Sequence, residues 1–141
     1  MLKKMGNRLK DQRGLTLIEL LAVIVILGII AAIAVPSINN IIQKSKEDAV
    51  KADAIAVLNA AKLYVAATDA SDGSLTTAQL SSYLEDGVSN ISNAVVTYSG
   101  GSYTLDGSAK AGNATITFAD ATIKDINDDD TKGTRKIGSG T

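Results

Sequence analysis

The chain has 141 residues, enough for one domain of modest size, with a formal net charge of −1. It contains no cysteine and no histidine, which excludes disulfide bonds, thiolate nucleophiles and the usual zinc sites. The commonest general base near neutral pH is therefore missing, and the sequence has no phosphate-binding glycine loop and no nucleophile elbow. We expect a protein that is not an enzyme and that needs no cofactor.

The charge is divided unevenly along the chain. Residues 1–14 carry five basic side chains against Asp11, a balance of +4, which leaves −5 for the remainder. A basic leader on an acidic body argues against sequence-specific binding of nucleic acid.

A long apolar stretch follows the leader. It runs from Leu15 to Val35, and no charged residue occurs over the 24 positions from Leu20 to Gln43. About 20 helical residues cross a hydrocarbon core of roughly 30 Å, so the stretch is long enough to span a membrane. The basic flank predicts that the leader stays in the cytoplasm and that the chain after Lys44 lies outside.

Three interpretations of this stretch are open. It is a simple membrane anchor, a secretory signal cleaved at an A-x-A site that ends at Ala34, or a segment cleaved before the apolar run, between Gly14 and Leu15. The residues after Pro36 argue against the secretory signal, because they continue a helical pattern instead of starting a polar mature chain.

Apolar residues recur at three- and four-residue steps after the apolar run. They predict a continuing helix with one buried face formed by Ile38, Ile41, Ile42, Ala49, Ala52, Ala56, Ala60 and Leu63. Glu47 and Lys51 fall four residues apart, on the side that we expect to be exposed. We predict one helix from about Leu15 to Ala67, with an apolar membrane-spanning part at residues 15–36 and an amphipathic part at residues 37–68.

Two residues weaken the apolar part of this helix. Pro36 has no N–H to bond the Ala32 carbonyl, and its ring crowds that turn, which predicts a kink. Gly28 lowers helix stability by up to about 1 kcal/mol relative to alanine. Membrane helices tolerate both residues, so two interpretations are open. Gly28 and Pro36 mark an ordinary kink, or they allow the segment between them to stretch or unwind when the helix changes its environment.

Glu19 is a carboxylate at the edge of the apolar stretch. A charge at the centre of a bilayer costs about 2.5–3.5 kcal/mol on insertion scales, so it requires compensation. The segment "RGLTLIEL" at residues 13–20, with the apolar run and Pro36, resembles the class III signal segment of type IV pilins and pseudopilins. The family's glycine, the apolar residue after the cut and the glutamate correspond to Gly14, Leu15 and Glu19. Leu15 departs from the family, in which phenylalanine is most frequent at this position.

The resemblance, which covers roughly residues 10–65, implies a route of processing and assembly. A membrane-embedded prepilin peptidase and N-methyltransferase cuts after Gly14 and methylates the new amine of Leu15. The membrane holds the precursor until an assembly platform with its ATPase machinery builds a helical homopolymer. In such a filament the amine of one subunit pairs with Glu19 of its neighbour and fixes the axial register. The alternative is a carboxylate that lies at the membrane interface or pairs only with the amine of its own chain.

Residues 69–141 are predicted to form a globular head. Turn-forming residues at 68–74 end the long helix, and a capping box at Thr76 and Gln79 begins a short one. Two β-hairpins are predicted, the first from residues 94–98 and 102–105, the second from residues 113–118 and 121–126. The predicted fold class is α+β, with the long N-terminal helix packed on a small antiparallel β-meander, which the family resemblance also implies.

An acidic segment near the C-terminus places Asp125, Asn127 and Asp129 at the first three ligand positions of an EF-hand loop. The sixth position is Asp130 instead of glycine and the twelfth is Lys136 instead of glutamate, which excludes an EF-hand. A looser calcium site at these three residues, as some pseudopilins have, is the alternative to a solvated acidic turn.

The sequence as a whole predicts a type IV pilus major pilin, a structural subunit of a surface filament for adhesion, motility or DNA uptake. The alternative is a pseudopilin of a type II secretion or competence system, which shares the same assembly segment. A monomeric membrane-anchored binding domain would require the N-terminal similarity to be accidental. The predicted location is the cytoplasmic membrane for the single-span precursor, with its leader inside, and then the extracellular filament.

Overall fold

The computed structural model describes residues 2–85 and 90–139, and the side chains of residues 13–85 and 90–139. The chain divides into two compact units, residues 1–41 and residues 42–141. The predicted membrane orientation depends on the basic side chains of the leader. Among these side chains the structure describes that of Arg13.

Helix α1 extends from Leu2 to Thr68 and belongs to the first unit in its N-terminal part and to the second unit in its C-terminal part. The helix predicted from Leu15 to Ala67 is confirmed, and the observed helix begins earlier. It ends where Asp69 adopts a φ of 52°, the left-handed conformation that often terminates helices.

A five-stranded sheet forms the remainder of the second unit and confirms the α+β class. Its strand order is β1-β2-β3-β4-β5, and every neighbouring pair is antiparallel except β4 with β5, which is parallel. The elements after α1 are β1 (Gly73–Thr76), α2 (Thr77–Leu80), a 3-10 turn (Ser81–Tyr83), β2 (Ser92–Ser99), β3 (Ser102–Ala111), β4 (Ala114–Ala121), α3 (Ile123–Asp128) and β5 (Arg135–Ile137).

Two of the predicted local structures are confirmed. The Thr76 N–H donates to Gln79 Oε1 at 2.9 Å, as a capping box at the start of α2 requires. Strands β2 and β3 are joined through Gly100 and Gly101, whose φ angles are 55° and 84°. A two-residue hairpin turn of this kind needs positive φ at both central positions, which glycine adopts at little cost.

The second predicted hairpin is wrong. Residues 114–121 form β4, which pairs with β3, and most of the predicted partner strand is helix α3. The Thr122 hydroxyl accepts the Asp125 N–H at 3.2 Å, while Asp125 Oδ2 accepts the Thr122 N–H at 2.9 Å. This reciprocal cap favours a helix over the strand that the alternation of apolar residues suggested.

The core of the second unit joins one face of α1 to the sheet and the short helices. The buried apolar residues of α1 are Val50, Ala54, Val57, Leu58, Ala60 and Ala61. The largest fully buried side chains that meet them from the rest of the unit are Leu80, Leu105, Ile116, Phe118 and Ile126.

The predicted buried face of the helix is wrong at every position except Ala60. Its large members Ile38, Ile41, Ile42 and Leu63 are between 47% and 66% exposed. In the second unit, Ile42, Ala49, Ala52, Ala56 and Leu63 form what we name the exposed stripe, which lies on the side of α1 opposite the core. Apolar periodicity reveals that a helix has an apolar stripe, but α1 has two, and only packing decides which one the sheet covers.

Candidate processing and assembly segment

The predicted cleavage position lies on α1 in the first unit. Leu15 is 60% exposed, and Thr16 Oγ1 donates a hydrogen bond to the Arg13 carbonyl at 3.0 Å, across the Gly14–Leu15 peptide bond. Apart from neighbouring helix backbone, no described atom lies within 4 Å of the place where a Cβ on Gly14 would stand. Packing among the described residues therefore gives no reason for a glycine at position 14.

Glu19 lies one helical turn after Leu15, so the two side chains share a face of α1. No residue in the ranges 13–85 and 90–139 forms an ion pair with Glu19. A carboxylate without a partner is costly in apolar surroundings. Cleavage after Gly14 would place a new α-amine one turn from this carboxylate within the chain, and would offer the same amine to a neighbouring copy.

The apolar residues from Leu15 to Ile41 form an uncovered surface. Each leucine, isoleucine and valine in this stretch is between 51% and 71% exposed. Among the described residues, one helix, Arg13–Thr68, is long and apolar enough to cross a membrane. An apolar surface of this extent is not stable in water, so lipid or other helices must cover it.

Gly28 and Pro36 lie inside this part of α1, which remains helical through both residues. A Cβ on Gly28 would meet nothing within 4 Å beyond the adjoining helix backbone, so packing in the chain does not require glycine there. The kink or unwinding that we expect at these two residues stays a prediction.

A buried ion-pair cluster in the second unit was not predicted from the sequence. Glu47 accepts a hydrogen bond from Arg135 Nη1 at 2.6 Å, and Arg135 Nε donates to Asp129 Oδ2 at 2.7 Å. The side chains of these three residues are only 5%, 9% and 10% exposed. Glu47 also accepts hydrogen bonds from Gln43 Nε2 at 3.0 Å and from the Gly133 N–H at 3.2 Å.

The expectation that Glu47 and Lys51 stand on the exposed side of the helix is therefore wrong. Glu47 is buried, and Lys51 donates to the Asp129 carbonyl. The sequence does hold a signal, because Gln43, Glu47 and Lys51 are spaced by four residues and so share one face of α1. It does not reveal their partner, since Arg135 follows Glu47 by 88 positions.

The three calcium candidates are placed in and after helix α3 instead of a loop. Thr122 donates to Asp125 through its N–H and its hydroxyl, and these hydrogen bonds lower the pKa of Asp125. Asn127 is exposed, and the Asp129 carboxylate is bound to Arg135. The described residues contain no group of three or more acidic side chains placed to hold a metal ion.

Acid should destabilise the second unit through Glu47. Burial by itself would raise the pKa of Glu47, but hydrogen bonds from Gln43, Arg135 and Gly133 outweigh it and lower the pKa below its ordinary value of 4.5. With a lowered folded-state pKa, the stabilisation is complete above the unfolded-state pKa and is lost as the pH falls through the folded-state value. We expect the free energy of unfolding to decrease below about pH 4.5, and to decrease less in Glu47→Gln.

Urea titrations of the full-length chain in detergent, followed by circular dichroism between pH 7 and pH 3, would measure this dependence. An identical pH dependence in the wild-type chain and in Glu47→Gln would assign the acid sensitivity to other carboxylates.

A Gly14–Leu15 junction, a carboxylate one turn later and an uncovered apolar stretch of α1 occur together in the first unit. The family profile described as "Prokaryotic N-terminal methylation motif" matches residues 9–35. These residues are a type IV pilin-like prepilin signal segment, and together with the apolar helix they fit a membrane-anchored precursor. No solved structure matched the chain.

Proposed function

We propose that this protein is a type IV major pilin, a structural subunit without enzymatic activity. It is cleaved after Gly14, methylated on the amine of Leu15 and assembled into a pilus-like surface filament. The single observation that carries the proposal is the apolar surface of α1, which the other described residues leave uncovered and most of which lies within the prepilin signal segment at residues 9–35.

Two environments cover this surface in turn. Lipid covers it in the precursor, whose basic leader keeps the N-terminus in the cytoplasm. The apolar helices of neighbouring copies cover it in the filament. Glu19 then meets the methylated amine of an adjacent subunit, so that neither charge is left unpaired and the axial position of each subunit is fixed.

The exposed stripe of the second unit supports assembly by a separate observation. Ala49, Ala52 and Ala56 are small and exposed, and a helix surface of small side chains lets another helix approach closely. Ile42 and Leu63 at its two ends are 47% and 58% exposed. We propose that α1 of an adjacent copy packs here, which extends the contact between subunits beyond the apolar part of the helix.

The proposal assigns partners as well as a location. A prepilin peptidase and N-methyltransferase matures the chain, and an assembly platform with its ATPase machinery adds it to the base of the filament. Before assembly the subunit is held in the cytoplasmic membrane, and afterwards it forms part of an extracellular filament that serves adhesion, motility or DNA uptake.

Mass spectrometry of the native chain and electron microscopy of sheared cell surfaces together test the proposal. We expect a mature N-terminus at Leu15 with the added mass of one methyl group, and long filaments composed of this chain. A cut at Leu15 without long filaments under native expression would identify a pseudopilin instead. A chain that begins at Met1, or at Val35 after an A-x-A cut, would refute both.

A further inference from the structure

The C-terminal residues of the second unit contact α1 through buried charged groups. Residues 129–137, which we name the C-terminal strap, follow helix α3 and end in β5. Gln43, Glu47 and Lys51, which we name the polar clasp, share one face of α1. We infer that the polar clasp closes the C-terminal strap onto α1, and that the strap opens as a separate unit when the clasp is broken.

Glu47 is the centre of the polar clasp. Both of its carboxylate oxygens lie 3.2 Å from the Gly133 N, and Oε2 accepts from Arg135 Nη1 at 2.6 Å. Arg135 also donates to the Gly133 carbonyl at 2.9 Å. Its guanidinium group is therefore bound to α1 through Glu47, to the start of the strap through Asp129, and to the strap's own backbone.

The two other members of the polar clasp extend it in opposite directions. Lys51 donates to the Asp129 carbonyl, and its Nζ lies 3.9 Å from Asp129 Oδ2. Gln43 donates to the Ala111 carbonyl at 2.6 Å and accepts the Asn113 N–H at 3.3 Å through its Oε1. The clasp therefore binds the first residue of the strap at one end and the turn between β3 and β4 at the other.

The C-terminal strap has few other attachments among the described residues. Strand β5 has three residues, and its neighbour in the sheet is β4 alone. Ile137 is the one apolar residue of the strap and is buried, whereas residues 130–132 are exposed. Since the chain contains no cysteine, no disulfide closes this segment. The sheet also holds the strap through Thr134, whose Oγ1 accepts the Thr115 N–H at 3.1 Å. The polar clasp supplies the buried hydrogen bonds and ion pairs that join the strap to α1.

The energetics of buried ion pairs explains why the strap should open independently of the rest of the second unit. Loss of one partner leaves a buried charge without compensation, which costs more than the intact pair contributes. Release of the strap hydrates Glu47 and Asp129 but leaves the core between α1 and the antiparallel strands in place. Local opening of this kind requires less free energy than global unfolding, so it determines amide exchange in the segment.

Hydrogen exchange of the full-length chain in detergent, followed by mass spectrometry, tests the inference. In Arg135→Gln we expect amides of residues 129–137 to exchange at least tenfold faster than in the wild-type chain. Amides of β2 and β3 should keep their rates. Lys51→Gln, which retains the pair between Glu47 and Arg135, should give a smaller increase in the same segment, and this variant decides the test if Arg135→Gln does not fold.

The matched control is Lys124→Gln. Lys124 forms an ion pair with Asp128, but the two side chains are 83% and 63% exposed, so its loss should not change exchange in the strap. Exchange rates of residues 129–137 that stay at their wild-type values in both Arg135→Gln and Lys51→Gln would overturn the inference. An equal acceleration in the strap and in β2 and β3 would also overturn it, because the ion pairs would then stabilise the whole unit rather than close a separate segment.

Discussion

Filaments should disappear when Glu19 is replaced by alanine, while membrane insertion and leader cleavage continue. In the proposed filament this carboxylate meets the amine of an adjacent subunit. Before cleavage no described residue of its own chain forms an ion pair with it. Removing one partner of a buried ion pair typically costs about 3–5 kcal/mol. A loss of this size at each subunit contact weakens assembly roughly a hundredfold or more.

Immunoblots of sheared surface fractions and of membranes would measure both parts of this result. The membrane fraction of Glu19→Ala should contain processed subunit, identified by its mass, while the sheared fraction should contain almost none. Thr16→Ala changes an exposed side chain on the adjacent turn without removing a charge, and it should form filaments in normal amounts. Normal filaments from Glu19→Ala would refute the register function of this residue.

A glutamate in the exposed stripe should also block assembly, but without affecting the fold. Ala56 lies on the side of α1 opposite the core, so Ala56→Glu leaves the second unit folded. In the proposed contact between copies, the same change buries a carboxylate that has no partner, at a cost of several kcal/mol. We expect a processed, folded subunit in the membrane and at least a tenfold loss of sheared filaments.

Two further alanine-to-glutamate variants separate assembly from folding. Ala78 is exposed on α2, away from the stripe, and Ala78→Glu should assemble normally. Ala54 is fully buried in the core, and Ala54→Glu should unfold the second unit and make it sensitive to protease. Normal filaments from Ala56→Glu, or protease sensitivity equal to that of Ala54→Glu, would contradict the proposed contact.

The predictions that held depend on signals between residues close together in sequence. The part of α1 from Leu15 to its C-terminal end follows from an apolar run and a periodicity that continues after it. The capping box at Thr76 and the two glycines of the β2–β3 turn each specify a backbone conformation within a few residues. Such signals need no knowledge of the packing.

The prediction of the second hairpin was wrong because two local signals competed. Residues 121–126 alternate well enough for a strand, but the reciprocal cap between Thr122 and Asp125 starts a helix. Strand β5 was missed because three residues carry no periodicity, and its place is set by pairing with β4. A parallel strand at the edge of the sheet depends on the fold around it and has little local signature.

By itself the sequence determined the prepilin signal segment. Gly14, Leu15 and Glu19 are recognisable because they lie within six consecutive positions, next to a charge-free run that must be helical and must be covered. Tertiary structure alone decided which stripe of α1 the sheet covers, and that Glu47 is buried against Arg135. The physical reason is distance along the chain: a helix with two apolar stripes presents both equally well, and an ion pair between residues 47 and 135 forms only after the intervening strands have brought them together.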